Sequence, residues 1–170
     1  MKKEIIKNKK GFTLIELLLY VGVSAFILTA VVLFTSTLLQ IQAKNQTISE
    51  VDLQGAEVVQ AISQAIRNSN GINSPSAGAS ATSLSLGMSE GIKDPTIFRV
   101  EDGVFQVSEG ANTYSLINSK VTVVNPNFTN LSRADTPGVI KFEFTLSYVN
   151  PENRNEFSHD KKFEATASLR

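Results

Sequence analysis

Lys9-Lys10-Gly11-Phe12-Thr13-Leu14-Ile15-Glu16 marks the point where a basic leader meets an apolar run, which continues to Leu39 with no further charged side chain. As a helix, residues 12–39 span about 42 Å at 1.5 Å per residue. The hydrocarbon layer of a bilayer is about 30 Å thick, so the run predicts a helix long enough to cross it. One carboxylate, Glu16, sits inside this stretch. A charged side chain near the bilayer centre costs about 2.5–3.5 kcal/mol on insertion scales. Glu16 therefore points to a partner that neutralises it.

Two plain readings compete here. A cleaved secretory signal has an apolar region of about 7–15 residues followed by a small-residue cleavage site. This run is longer, and Thr35-Ser36-Thr37 is the small-residue stretch within it. A plain signal anchor fits the length and the basic flank, but leaves Glu16 and the Gly11-Phe12 junction without a role. The segment Lys10-Gly11-Phe12-Thr13-Leu14-Ile15-Glu16-Leu17-Leu18 resembles the class III signal of type IV prepilins and type II secretion pseudopilins. That resemblance, over about the first thirty residues, implies cleavage between Gly11 and Phe12 by a prepilin peptidase, N-methylation at Phe12 and assembly into a helical filament. It speaks to processing and assembly, and not to which filament system the chain serves.

The chemistry of Glu16 agrees on separate grounds. Removal of the leader leaves a free amine on Phe12. Glu16 lies four residues on, one helical turn away, at the helix end whose dipole favours a carboxylate. An ammonium and a carboxylate in hydrocarbon each need neutralising, and pairing relieves both. The family resemblance implies that this pairing runs between subunits and sets their register, making Glu16 the assembly residue.

The 170 residues carry 16 basic and 16 acidic side chains. Five Lys and one Glu lie in residues 1–11, so the chain from Phe12 onward has 11 basic and 15 acidic groups, a net of −4. The basic leader predicts a cytoplasmic N-terminus and an exported C-terminal domain, in a single-pass protein of the bacterial inner membrane. No basic patch suggests nucleic acid, and Asp160-Lys161-Lys162 reads as a solvated strand entrance. Cysteine is absent, so there is no disulfide framework.

Beyond Lys44 the composition turns polar, but Ile48, Val51, Val58, Val59, Ile62 and Ile66 keep helical spacing. Gly55 falls near that stripe, where it could admit a closely packed sheet. Asn68-Ser69-Asn70-Gly71 reads as a stop, with Gly71 placed for a left-handed cap. An anchor and a separate amphipathic helix divided near Lys44 is the alternative, although no Pro forces a break. Residues 71–83 are rich in Ser, Ala, Gly and Asn and read as a flexible linker. Strands follow at 83–88, 96–100, 104–108, 114–117, 120–124, 138–150 and 162–169. Asp102-Gly103 is a hairpin signal. Phe142, Phe144, Leu146 and Tyr148 alternate with polar residues, as a half-buried strand requires, and Phe163, Ala165, Ala167 and Leu169 share one face.

The expected architecture is α+β, a long N-terminal helix packed on an antiparallel β-sheet. Its expected divisions are a leader at 1–11, a membrane and assembly helix at 12–43, an amphipathic helix at 44–70, a linker at 71–83 and a β domain at 84–170. The order of Thr96–Phe105, Leu116–Val123, Phe128–Leu131 and the later Phe-x-Phe strand is similar to the J-type minor pseudopilins of type II secretion. The lack of a helix-bending Pro in the apolar run, with Gly22 its weak point, leans the same way. The resemblance implies as partners other pilin-like subunits, the prepilin peptidase and an assembly platform protein, with no cofactor.

No catalytic set emerges. His159 lies in a polar turn and reads as solvated, and no Ser sits in a Gly-x-Ser-x-Gly elbow. Glu90, Asp94, Glu101, Asp102 and Glu109 crowd one stretch of turns, but without the spacing of a calcium loop. The expectation is a structural subunit with no catalytic residue and no metal. The alternative is an uncleaved, signal-anchored exported β domain that binds a ligand or protein.

Overall fold

A computed structural model describes residues 11–134 and 137–170; the expected leader at 1–10 lies outside the described residues. A single helix, α1, runs from Leu14 to Asn68. The chain divides into two compact units, one ending at Ile41 and one spanning 42–170.

In the first unit every described side chain is exposed, and α1 is long and apolar enough here to cross a membrane. Its hydroxyl residues show how polarity is tolerated in such a run. Thr29, Thr35, Ser36 and Thr37 donate to the carbonyls of Ala25, Val31, Leu33 and Leu33 at 2.9, 2.9, 2.8 and 3.0 Å. Each hydroxyl is satisfied by its own helix and asks nothing of lipid. Thr35-Ser36-Thr37 is thus mid-helix.

In the second unit α1 buries one face, Thr47, Val51, Gly55, Val58, Ile62 and Ile66, at the three- and four-residue intervals of an amphipathic helix. Thr47 can be buried because its hydroxyl donates to Ala43 O at 3.0 Å. The strands are β1 (Ser69–Ser74), β2 (Ser80–Ala81), β3 (Leu84–Met88), β4 (Thr96–Glu101), β5 (Val104–Glu109), β6 (Asn112–Ser115), β7 (Val121–Asn130), β8 (Val139–Tyr148) and β9 (Asp160–Ser168). They form a five-stranded sheet ordered β1-β3-β4-β5-β6 and a four-stranded sheet ordered β2-β7-β8-β9, with every pairing antiparallel. The α+β layout is the one the sequence pattern leads to.

The core joins α1 to both sheets. Leu84, Leu86, Phe98 and Phe105 come from the first; Phe128, Ile140, Phe142, Phe144 and Leu146 come from the second. Phe105 meets Phe128 and Phe144 edge-on at 6.4 and 5.6 Å, and Phe144 stacks on Phe163 at 5.5 Å. Phe163 in turn covers Gly55: a Cβ there would lie 2.0 Å from the ring. The Asp102-Gly103 hairpin has both residues at positive φ, 51° and 76°, as a type I′ turn requires.

Several expectations give way. Two sheets form, since β7 pairs with β2 and β8 and not with β6. The β4–β5 turn is bonded instead to β7, through Val123 N–H to Gly103 O at 2.8 Å. The stretch 71–83 contains most of β1 and all of β2. Gly71 is a strand residue without positive φ. The helix ends differently: buried Ser69 donates its hydroxyl to Ile66 O at 2.8 Å, and the chain passes straight into β1. Strand β7 continues to Asn130, past Pro126, by a register irregularity between Val124 and Asn127, the way a sheet accommodates Pro.

Asp160-Lys161-Lys162 is more than a solvated entrance. Lys161 pairs with Asp52 of α1 at 2.9 Å and Lys162 with Glu143 at 2.8 Å. Glu143 faces Glu164 directly across β8 and β9, a repulsive pair, and diagonal lysines relieve it: Lys162 on Glu143 and Lys141 on Glu164, the latter at 2.8 Å. The Lys162 hydrogen bond, then that of Asn127, holds the Glu143 carboxyl below its ordinary value. The Glu164 bond raises Lys141 above its own. A lowered folded-state carboxyl stabilises the fold above its unfolded pKa, and that contribution disappears as pH falls through the folded value. Thermal melts of Glu143→Gln are therefore expected to show a shallower loss of Tm than the native chain on acidification below about pH 4.5. Parallel slopes would remove Glu143 from the account. The lysine contribution runs the other way, present below its ordinary pKa and lost as pH rises through the raised one.

Candidate functional site

The start of α1 is built from local sequence. Thr13 precedes the helix, and its hydroxyl accepts from Glu16 N–H at 3.3 Å while its carbonyl accepts from Leu17 N–H at 3.1 Å. Thr13-Leu14-Ile15-Glu16 is the Thr-x-x-Glu arrangement of a capping box, a signal present in the sequence that the reading above did not use. The Glu16 carboxylate faces forward along the helix, where Oε1 accepts from the Tyr20 hydroxyl at 3.5 Å. The Tyr20 ring meets Phe12 edge-on at 6.0 Å.

Gly11 and Phe12 lie ahead of the helix in irregular, exposed backbone; the Phe12 side chain is 74 % exposed. Phe12 and Glu16 were expected one turn apart within the helix. Thr13 caps the helix instead, so Phe12 stands outside it and is tied to the Glu16 surroundings through Tyr20. The structure thus gathers Phe12, Glu16 and Tyr20, with Gly11 beside them. Tyr20 is the member that sequence reasoning missed, and its spacing of four from Glu16 was the available clue. An accessible Gly-Phe bond ahead of a capped helix is open to a peptidase. A carboxylate that, among the described residues, accepts one long hydroxyl contact has capacity left for a cation.

Residues 6–32 match the family model for the prokaryotic N-terminal methylation motif. The match supports a type IV pilin-like protein. Comparison with curated proteins and with solved structures returned no match. Such a motif implies processing by a prepilin peptidase and assembly with other pilin-like subunits, and with an apolar helix behind it suggests membrane anchoring.

The other candidates do not converge. Among the described residues, no group of three or more His, Cys, Asp or Glu side chains could hold a metal. In the acidic turns, Glu90 pairs with Lys93 at 2.9 Å and Glu101 with Arg99 at 3.3 Å. Asp94 accepts from Met88 N–H at 2.9 Å, and Asp102 forms the β4–β5 turn. His159 is half-buried: its Nε2 is buried without a hydrogen-bond partner among the described residues, and its carbonyl accepts from Tyr148 N–H. A cleft of about 440 Å³ between α1 and the first sheet has Ala61, Ala65, Phe98, Val107 and Leu116 among its lining residues. Ser89, Glu90, Lys93 and Glu109 also line it; the Ser89 hydroxyl donates to Asn70 Oδ1 at 2.8 Å and Glu90 pairs with Lys93.

Proposed function

We propose that this chain is a structural subunit, and not an enzyme: a minor pilin or pseudopilin of a type II secretion pseudopilus or type IV pilus, acting in the initiation or tip complex. It is cut between Gly11 and Phe12, methylated at Phe12 and held in the inner membrane by α1. It then enters the filament through Glu16, which takes the Phe12 amine of a neighbouring subunit as its counter-ion. Its partners are other pilin-like subunits, the prepilin peptidase and the assembly platform protein. The exported domain, residues 42–170, faces away from the cytoplasm. The observation that carries this reading is the methylation motif at 6–32, at the start of a capped helix where, among the described residues, the Glu16 carboxylate accepts one long hydrogen bond, from Tyr20. Within it, the sequence resemblance in the segments Thr96–Phe105, Leu116–Val123 and Phe128–Leu131 leans to the minor, J-type assignment.

Intact mass and N-terminal sequencing of the membrane-extracted protein test the proposal. A chain beginning at methylated Phe12 is expected. Gly11→Leu is expected to abolish that cut and leave the leader attached, because the peptidase must read a side chain where it meets none in the native protein. A native chain still beginning at Met1 would instead support a signal-anchored β domain that binds on its own.

A further inference from the structure

The cleft between α1 and the first sheet carries a charge that the fold itself leaves uncompensated. Its volume, about 440 Å³, is in the range of ligand pockets, roughly 300–1,000 Å³. Ala61 and Ala65, one turn apart on α1, leave that space open, and Val107 and Leu116 give it apolar surface. Val107 and Glu109 alternate along β5, so they share one face, and both line the cleft. Glu109 thus stands on the core side of its sheet. It is half-buried, and among the described residues its carboxylate makes no hydrogen bond or ion pair.

Lys93 is the one cation among the lining residues, and it is already bound to Glu90 at 2.9 Å. The hydrogen bond to Glu90, and more weakly the charge of Glu109, holds its ammonium above the ordinary lysine value. Two carboxylates against one ammonium leave a net negative charge beside apolar surface. An anion is therefore the wrong occupant. A cation on an apolar stem fits, its head satisfying Glu109 and its stem covering Val107 and Leu116.

Two exposed side chains beside the cleft favour a cation that arrives on a polypeptide. Ile92, 84 % exposed, lies between the lining residues Glu90 and Lys93. Its carbonyl packs on Gly110, where a Cβ would come within 2.3 Å of it, which sets this loop against the β5–β6 turn. Tyr114, 51 % exposed, pairs with Val107 across β5 and β6 and so stands on the same face. A free small cation has nothing to lay against these two side chains, whereas the residues flanking a side chain in a polypeptide do. Arginine suits the place better than lysine, because its planar guanidinium both forks onto a carboxylate and stacks on an aromatic ring.

We propose that the cleft receives an arginine side chain of another polypeptide, with its guanidinium on Glu109, its stem on Val107 and Leu116, and its apolar neighbours in sequence on Ile92 and Tyr114.

The probe is the capped tripeptide acetyl-Val-Arg-Val-amide, titrated into the full chain in detergent micelles at about 0.15 M salt. The methyl resonances of Val107 and Leu116 are followed, and both are expected to shift saturably. Citrulline in place of the arginine keeps the shape and removes the charge, and is expected to weaken binding about tenfold or more. Glu109→Gln is expected to do the same; with no partner to lose, its replacement leaves the sheet intact. Ala65→Leu is a second variant, which keeps helix propensity, fills the cleft without touching Glu109 and is expected to block the peptide. No saturable shift in the native chain, equal affinity for the citrulline peptide, or undiminished binding by either variant would overturn the proposal. Butylguanidinium binding as tightly as the peptide would overturn the polypeptide as its source. Every residue involved lies within 42–170, so the result is independent of whether the leader is cut.

Discussion

Glu16→Gln is expected to insert and be processed like the native chain, yet to co-purify with neighbouring filament subunits at about one tenth of the native level or less. The substitution keeps the side chain's shape and leaves the helix start intact, because the cap is the Thr13 hydroxyl on the Glu16 backbone N–H, which Gln retains. What it removes is the charge. A Phe12 ammonium brought against this position in an assembled filament then has no counter-ion in an apolar surrounding. Breaking a buried pair on one side costs about 3–5 kcal/mol, and about 1.4 kcal/mol already gives a factor of ten. Tyr20→Phe removes only a hydroxyl at 3.5 Å and is expected to change incorporation far less. Native-level co-purification of Glu16→Gln would mean that the acid does not hold subunits together.

The long helix and most strands were legible because each carries its own periodicity. Apolar residues at intervals of three and four mark the buried face of α1, and Phe142, Phe144 and Leu146 mark that of β8, although Tyr148 at its end is only half-buried and Ile140 joins the buried face. Asp102-Gly103 gave its turn because few other residues accept positive φ at both positions. What escaped depends on partners distant in sequence. β1 and β2 lie in a Ser- and Asn-rich stretch whose own propensity is for loops; pairing with β3 and β7 makes them strands. The division into two sheets is likewise a matter of which edge β7 joins, and nothing within residues 121–130 encodes it. At the N-terminus the long apolar helix was legible, but its start was not. Thr13 competes with Phe12 for the first position, and a side chain able to cap wins over one that is not. The half-burial of His159 was likewise not legible, because its own surroundings in sequence are polar.

Gly55 was legible only as a place where a sheet could come close, and the structure turns that into a stability experiment whose sign depends on a second residue. A Cβ at position 55 would sit 2.0 Å from the Phe163 ring. That ring cannot simply retreat, because Phe144 is stacked behind it at 5.5 Å and 17° and is itself fully buried. Gly55→Leu is therefore expected to lift β9 or α1 from the core and cost about 3 kcal/mol, the upper part of the range for overpacking. Gly55→Ala opposes the same clash with a gain of about 1 kcal/mol from helix propensity, and is expected to be destabilising by about 1–2 kcal/mol in the native background. Phe163→Ala removes the obstacle, at a cost of its own from the lost ring. In that background Gly55→Ala retains only the propensity gain and is expected to stabilise. Urea titrations of the four chains in micelles, followed by tyrosine fluorescence, complete the double-mutant cycle. Equal destabilisation by Gly55→Ala in both backgrounds would show that the missing side chain at position 55 answers to something other than Phe163.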